Sequence, residues 1–373
     1  PYRTMVEAVA MRTTGLGGDS EVGFISDGLL GGVKLGPKRV IPISLLAHEA
    51  PDVVLPALKK QLQASTPGEY DCLFVRKVDG IDTAGLSLRD QTVFERISNK
   101  IYPLGQVLET RVEALSIQRL VSRGLVEVSG VTPSDACHVL DLLDTWDREA
   151  ANIALEIFGR RRTGAGNTLA QTGYDMAHII INQLTAQTSQ ALLEAAFKEE
   201  IEPYLGLPED LAKNELVQRG LARSDGLVKI ETSLNIDVIG LGASATTYYP
   251  AVGNKLHCIV NLPQHAGVAN AIGAVVGRVT MRQSGTITAP SEGIFRVHFV
   301  DGPEDFSVED EALTALEERL GKIATAEAKA GGTENVQLVA RRDIKRANAE
   351  SRDIFIEATV SVEASGRPRT SLS

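Results

Sequence analysis

Apolar and polar residues alternate over Met5 to Ala10 and Glu21 to Ile25, and short apolar-rich runs follow at Arg39 to Ile43 and Asp71 to Val78. A period of two predicts strands, with one helix near Val53 to Gln63 among them. From Thr92 to about Glu199 the period lengthens to 3.6: Val107, Val112, Leu115 and Ile117, then Ile153, Leu155 and Ile157, then Leu169, Met176, Ile180, Leu184 and Leu192 mark the apolar faces of several helices. Within that stretch Thr132-Pro133-Ser134-Asp135 places a capping hydroxyl, a first-turn proline and an acid at the third position, a strong helix start. Leu120 to Val131 reads as a helix, Gly124 and a short Val126-Glu127-Val128 strand. The mixed pattern returns at Ile236 to Gly240, and a helix follows from about Ala266 to Val276. A last region, with a strand at Ile294 to Phe299, a helix from Val308 to Ala330 and strands at Val336 to Ala340 and Ile354 to Val362, forms a βαββ-like unit before a polar tail. The fold class is α/β, divided as 1–91, a helical insert at 92–199, 200–284, a C-terminal α+β unit at 285–366, and a tail at 367–373.

Two glycine turns carry the candidate chemistry. In Thr13-Thr14-Gly15-Leu16-Gly17-Gly18-Asp19-Ser20, small residues let backbone N–H groups crowd an anion while the Asp19 carboxylate waits beside it for a cation, the outline of phosphate and magnesium binding. Its flanks predict a turn at the tip of a hairpin, unlike the strand-loop-helix of a P-loop, and no Gly-Lys-Ser/Thr is present. The second turn, Gly240-Leu241-Gly242-Ala243-Ser244-Ala245, follows a buried strand and satisfies the loose G-x-G-x-x-A dinucleotide pattern. The ribose-binding acid of that pattern is missing: the next strand reads His257-Cys258-Ile259-Val260-Asn261-Leu262. Glycines at such a strand end also let a nucleoside ring lie flat against the backbone, which needs no acid there. Beyond it, Val268-Ala269-Asn270-Ala271-Ile272-Gly273-Ala274 is a helix of small residues, suited to a close helix crossing or a hinge.

Composition narrows the classes. The net charge of -10, with no basic block longer than Arg160-Arg161-Arg162, argues against a nucleic-acid surface and so against a winged helix at Leu120 to Val131. The arginine triplet follows Gly159 and is expected to complement a helix C-terminus. No apolar run approaches the length of a membrane helix. Cys72, Cys137 and Cys258 are odd in number and far apart, as expected of reduced thiols in a cytoplasmic protein. The chain opens on Pro1 directly before a strand, which reads as a cut.

Taken in order, the three glycine and small-residue strings resemble the hydantoinase A/5-oxoprolinase family, whose nucleotide lobes are similar to those of actin-like ATPases and sugar kinases. Thr14 to Ser20 looks like its second phosphate motif, Gly240 to Ala245 its adenosine motif, and Val268 to Ala274 its second connecting helix; Gly36-Pro37-Lys38-Arg39 and Thr132-Pro133-Ser134-Asp135-Ala136 stand where that family has similar strings. The likeness runs from Val6 to about Pro290. The resemblance implies the second lobe of an actin-like, ribonuclease-H-like fold, and ATP-dependent opening of a cyclic amide whose carbonyl is activated by phosphorylation. It implies ATP and Mg²⁺ as cofactors, with Thr14, Gly17, Gly18, Asp19 and Ser20 around the phosphates. Asp19 would be the catalytic residue and hold the metal through water; Gly240, Gly242, Ala243 and Ser244 would surround the adenosine, and Asn270 would brace hinge or substrate. The Asp-x-Gly-Gly-Thr turn of the first phosphate motif is not in this chain. The expected partners are therefore a missing N-terminal lobe, a hydantoinase B-type subunit or domain and a small cyclic-amide substrate, with no nucleic acid and no membrane; a homo-oligomer stays open. Relatives with this fold also resemble the ATP-using subunits of ketone carboxylases, and an assembly module without catalysis is the reading from another class.

Among the histidines, His265 just before the small-residue helix is the best functional candidate, while His48 and His178 read as structural. Cys137-His138 and His257-Cys258 are adjacent pairs without the ligand spacing of a zinc site. Trp146 with Asp147 reads as the anchor of a helix start.

Overall fold

Alternation at Val22, with Val33 and Leu35 opposite, drives the first hairpin of the computed structural model, which describes residues 11–29, 31–98, 100–200, 206–224, 226–277, 279–299, 301–349 and 352–368. The strand expected over Met5 to Ala10, and with it the hairpin around the first glycine turn, lies outside those residues. β1 (Ser20–Ile25) pairs antiparallel with β2 (Gly32–Arg39), which lines up the buried Val22 and Leu35. The strand expected at Arg39 to Ile43 is shorter: β3 (Ile41–Pro42) stops at a residue with no N–H to donate, and α1 (Ile43–Glu49) starts at once, with α2 (Pro51–Leu62) behind it, opened by a first-turn proline. β4 (Phe74–Lys77), α3 (Leu88–Arg96), β5 (Tyr102–Pro103), α4 (Leu104–Val107), α5 (Ala114–Ser122) and β6 (Val126–Gly130) follow. β6 is no wing: it is an inner strand of a sheet in the order β3-β6-β4-β5, parallel to β3 and antiparallel to β4.

Three capped helices come next. α6 (Pro133–Val139) starts at a Thr132/Asp135 capping box, α7 (Arg148–Gly159) at Asp147, which accepts from the Ala150 N–H at 2.8 Å, and α8 (Gly173–Glu199) at a Thr172/Asp175 box. α9 (Pro208–Lys213), α10 (Glu215–Ala222), β7 (Val238–Ile239), α11 (Ala245–Leu256) and β8 (Val260–Asn261) complete this part, with β7 and β8 parallel. The helices between 92 and 199 do not form one separate body: Leu155, Ile157, Met176 and Ile180 of α7 and α8 share a core with Ile43, Leu46, Leu58 and Phe74, while Val93, Val107 and Leu120 of α3 to α5 cluster with Val75 of β4 and Val126 of β6.

Two compact units result, 1–267 and 268–373, the first with the four-stranded sheet and two two-stranded ones, the second with a five-stranded sheet and its own core. The second contains α12 (Ala269–Val276), β9 (Val279–Ser291), β10 (Ile294–Phe299), β11 (Gly302–Phe306), α13 (Glu309–Ala330), β12 (Thr333–Ala349) and β13 (Arg352–Pro368). Its antiparallel sheet has the order β11-β10-β9-β13-β12, and Leu313, Leu316 and Leu320 of α13 cluster with Ile287, Val297, Val360 and Val362 of the strands. β9 crosses residue 284 and β13 runs on to Pro368. The chain is thus mixed α/β, and among the described residues no helix is long and apolar enough to cross a membrane.

Candidate functional site

The first glycine turn is tied down from inside. Ser20, fully buried, accepts the Gly17 N–H on Oγ at 2.8 Å and donates to the Gly15 carbonyl at 3.4 Å, while its own N–H reaches the Gly17 carbonyl at 3.2 Å. The Asp19 carbonyl accepts from Val40 N–H at 3.0 Å, so the turn is also fixed to the segment joining β2 and β3. Two of the amides expected to meet a phosphate, those of Gly17 and Ser20, are therefore engaged within the turn. The Asp19 carboxylate, half-exposed, is held by Arg39 Nη1 at 3.2 Å.

Gly18 is where distant segments meet. Its carbonyl accepts from the Ser134 N–H at 2.9 Å. A Cβ on Gly18 would lie 2.8 Å from Ser134 Oγ and 3.4 Å from both Cβ and Oγ of Ser244, so only glycine lets the turn approach these two serines. Ser134 is positioned by the start of α6. There Asp135, completely buried, accepts from Ser44 N at 2.8 Å, Ser44 Oγ at 2.6 Å, Ile43 N at 3.3 Å, and Thr132 N and Oγ1 at 2.9 Å each. One carboxylate thus serves the starts of both α1 and α6. Burial pushes the Asp135 carboxyl above its usual range, against the pull of these donors. His138, one turn further on, holds the Ser134 carbonyl on Nδ1 at 2.7 Å and receives the Trp146 N–H on Nε2 at 3.2 Å. A main-chain donor at Nε2 makes that nitrogen the acceptor and puts the proton on Nδ1. Trp146 stacks on the same imidazole with centroids 5.2 Å apart, directly before the Asp147 cap of α7.

The second glycine turn joins β7 to α11 as expected, and its glycines have different tasks. Gly240 is buried, and a Cβ there would meet Leu262 at 2.6 Å and Tyr249 at 3.2 Å, so its bareness serves packing. Gly242 has φ +112°, is exposed, and has no atom within 4 Å of a Cβ position, which leaves its face open to a flat ligand. Its N–H is held by the Ala266 carbonyl at 2.8 Å, and Ala243 lies exposed beside it. Ser244 takes the N-cap position of α11 without a side-chain capping bond.

A comparison with family models, with curated proteins and with solved structures finds no match to this chain.

The remaining candidates stand elsewhere. Thr14 is exposed and lines a cavity of about 390 Å³ with Lys34, Gln183, Gln187 and Gln190. Asn270 is exposed on α12 of the second unit, and His265 is exposed just before it in sequence. Arg39, besides holding Asp19, lines with Lys38 a cavity of about 490 Å³ whose other walls include Tyr70, Leu104 and Ile117. No group of three or more His, Cys, Asp or Glu residues is arranged to hold a metal among the described residues. Neither adjacent pair offers an open imidazole edge pair: both ring nitrogens of His138 are engaged, and His257 Nε2 is bound to the Leu221 carbonyl at 2.9 Å.

The sequence marks Ser134 and Asp135 only as part of a helix start and of a family-like string, and His138 only in the Cys137-His138 pair, without the contacts that these residues make. The four-residue step from Ser134 to His138 on a helix is a signal that could have linked those two. Nothing local announces that Ile43 and Ser44 would donate to Asp135.

Proposed function

We propose that this chain is part of an ATP-dependent enzyme of the hydantoinase/5-oxoprolinase type, in which unit 1–267 supplies the second lobe of an actin-like nucleotide fold. The observation that carries this reading is the meeting of Gly18, Ser134 and Ser244, one residue from each of three strings that resemble the family's motifs. Bound ATP and Mg²⁺ would supply the phosphoryl group that turns a resonance-stabilised lactam carbonyl into an electrophile for water. Ser134 and Ser244 bring their hydroxyls close to Gly18, and Gly242 offers an open backbone face for a flat ring. Asp19 fits a magnesium ion only modestly. Such an ion keeps several waters and takes one or two carboxylates, and Asp19 is single and must exchange its Arg39 contact to serve. Arg39, once released, would be available to neutralise phosphate charge.

The test is Asp19→Asn in the protein with its expected first lobe and B-type partner present, assayed for ATP turnover with hydantoin and with 5-oxoproline. A loss of about 100-fold is expected, whereas unchanged turnover removes Asp19 from the mechanism. Calorimetry of Mg·ATP against this chain alone should give little or no heat, and tight saturable binding would show the first lobe to be dispensable.

A second reading, a non-catalytic assembly module, is favoured by the internal use of the Gly17 and Ser20 amides and by the Asp19–Arg39 pair. It requires that Asp19→Asn leave every activity of the assembly unchanged.

A further inference from the structure

Ile117 and Leu120 of α5 pack into the cluster that holds Val75 of β4 and Val126 of β6, and a further row of α5 is left over. Ala114, Ile117, Gln118, Val121 and Ser122 recur at the three- and four-residue steps that put side chains on one helix face. That face lines the cavity of about 490 Å³ at which Lys38 and Arg39 stand. Val40, Tyr70, Leu73, Leu104 and Val128 complete its apolar walls. Gln118, Val121 and Ser122 are exposed, so among the described residues nothing closes over them.

Most of the lining is apolar, and a ligand body that leaves water for it gains by burial. At about 30 Å³ for each heavy atom, the share of one water in the liquid, the volume holds on the order of fifteen heavy atoms. An amino acid or an inorganic anion would leave most of it empty. Three charged side chains stand on the lining: Lys38 and Arg39 from the end of β2, and Glu21 from β1. Two cations against one carboxylate favour an anionic head over an ammonium group. Both cations are exposed and open to a ligand. Lys38 makes no ion pair among the described residues, and the Asp19 contact takes only Nη1 of Arg39, leaving the other guanidinium donors unused. Gln118 and Ser122 add neutral hydrogen-bonding groups.

We propose that this cavity binds a monocarboxylate with an apolar body of about ten carbons or more, the body against α5 and the apolar walls, the carboxylate at Lys38 and Arg39. An alkyl chain and a pair of aromatic rings share this chemistry. The site lies wholly within unit 1–267 and does not need the nucleotide reading, with which it shares only Arg39.

The full chain is titrated calorimetrically with decanoate and with diphenylacetate, then with acetate and with the amide and the amine that correspond to whichever acid binds more tightly. That acid names the body as chain or rings. It should bind saturably, and its amide, its amine and acetate about tenfold or more weakly. Lys38→Ala, at an exposed position, should weaken the acid about threefold and leave the amide unchanged. Val121→Glu, also at an exposed position, puts a carboxylate into the apolar wall and should weaken the acid about tenfold or more. Saturable binding by neither acid, an amine or acetate that binds as tightly as the acid, or an acid affinity unchanged in Val121→Glu or in Lys38→Ala would each overturn the proposal.

Discussion

Ser134 and Gly18 hold each other twice: the Ser134 N–H donates to the Gly18 carbonyl at 2.9 Å, and the Ser134 hydroxyl occupies the space that a Cβ on Gly18 would need, 2.8 Å away. The contact joins residues far apart in sequence and sets the distance between the first glycine turn and α6. Gly18→Ala must displace the hydroxyl or the turn, and is expected to cost about 1–2 kcal/mol. In a Ser134→Ala background the obstructing oxygen is gone, so the same change should cost about 0.5–1 kcal/mol less. Urea unfolding of the two single variants and the double variant measures the coupling, and strictly additive costs would show that the two side chains do not compete for that space.

Asp135 joins the starts of α1 and α6 with acceptors alone. Asparagine keeps the shape but exchanges one acceptor for an NH₂ group that faces main-chain N–H groups, so Asp135→Asn should destabilise by about 2–3 kcal/mol. The loss should be visible in urea midpoints at neutral pH. A neutral result would mean that the Ser44 and Thr132 donors find other acceptors.

Asp90 and Asp135 respond to acid with opposite signs. Arg119 grips Asp90 through Nε at 3.1 and 3.0 Å and through Nη2 at 2.6 Å, holding its carboxyl well below the usual range. A folded-state pKa below the unfolded one gives stability that is present above about pH 4 and is lost as pH falls through the folded value. The raised carboxyl of Asp135 does the reverse: its contribution is present in acid and fades as pH rises through the folded value. Asp90→Asn should therefore flatten the fall in stability below about pH 4, read from thermal unfolding across an acid series. An acid limb of unchanged steepness would remove the Asp90–Arg119 pair as its source.

The three thiols should react in order of access. Burial pushes the Cys72 thiol up to about 12 and also raises Cys137, and both are enclosed, whereas Cys258 is only half-buried. Since the thiolate is the reactive form, iodoacetamide at mildly alkaline pH should modify Cys258 first and reach Cys72 only on unfolding. Mass spectrometry of peptides from native and urea-treated samples reads this directly, and early labelling of Cys72 would contradict its enclosure.

Helices with their own start signals were legible along the chain, because a cap acts over three or four residues: Thr132 with Asp135, and Asp147 beside Trp146, begin helices in the structure. The four-residue step of Met176, Ile180 and Leu184 likewise marks a buried face, whereas Ile153, Leu155 and Ile157, two apart, are buried because α7 is enclosed on several sides. α1 was not legible, since Pro42 and the apolar run after it read equally as strand, and the acceptor for its first amides comes from α6. Of the candidate site, the glycine turns could be picked out, but not that Gly240 packs, that Gly242 stays open, or that Asp19 is held by Arg39.

By itself, the order of residues determined the α/β class, the positions of the capped helices and the two bends rich in glycine, all of which depend on short-range sterics and hydrogen bonding. Only the tertiary structure decided that Gly18 meets Ser134 and Ser244, that Asp135 serves two helices at once, and that one guanidinium nitrogen of the half-buried Arg161 is enclosed without an acceptor among the described residues. Contacts of that kind depend on how one shared core closes, and side chains far apart in the chain become neighbours only when it does.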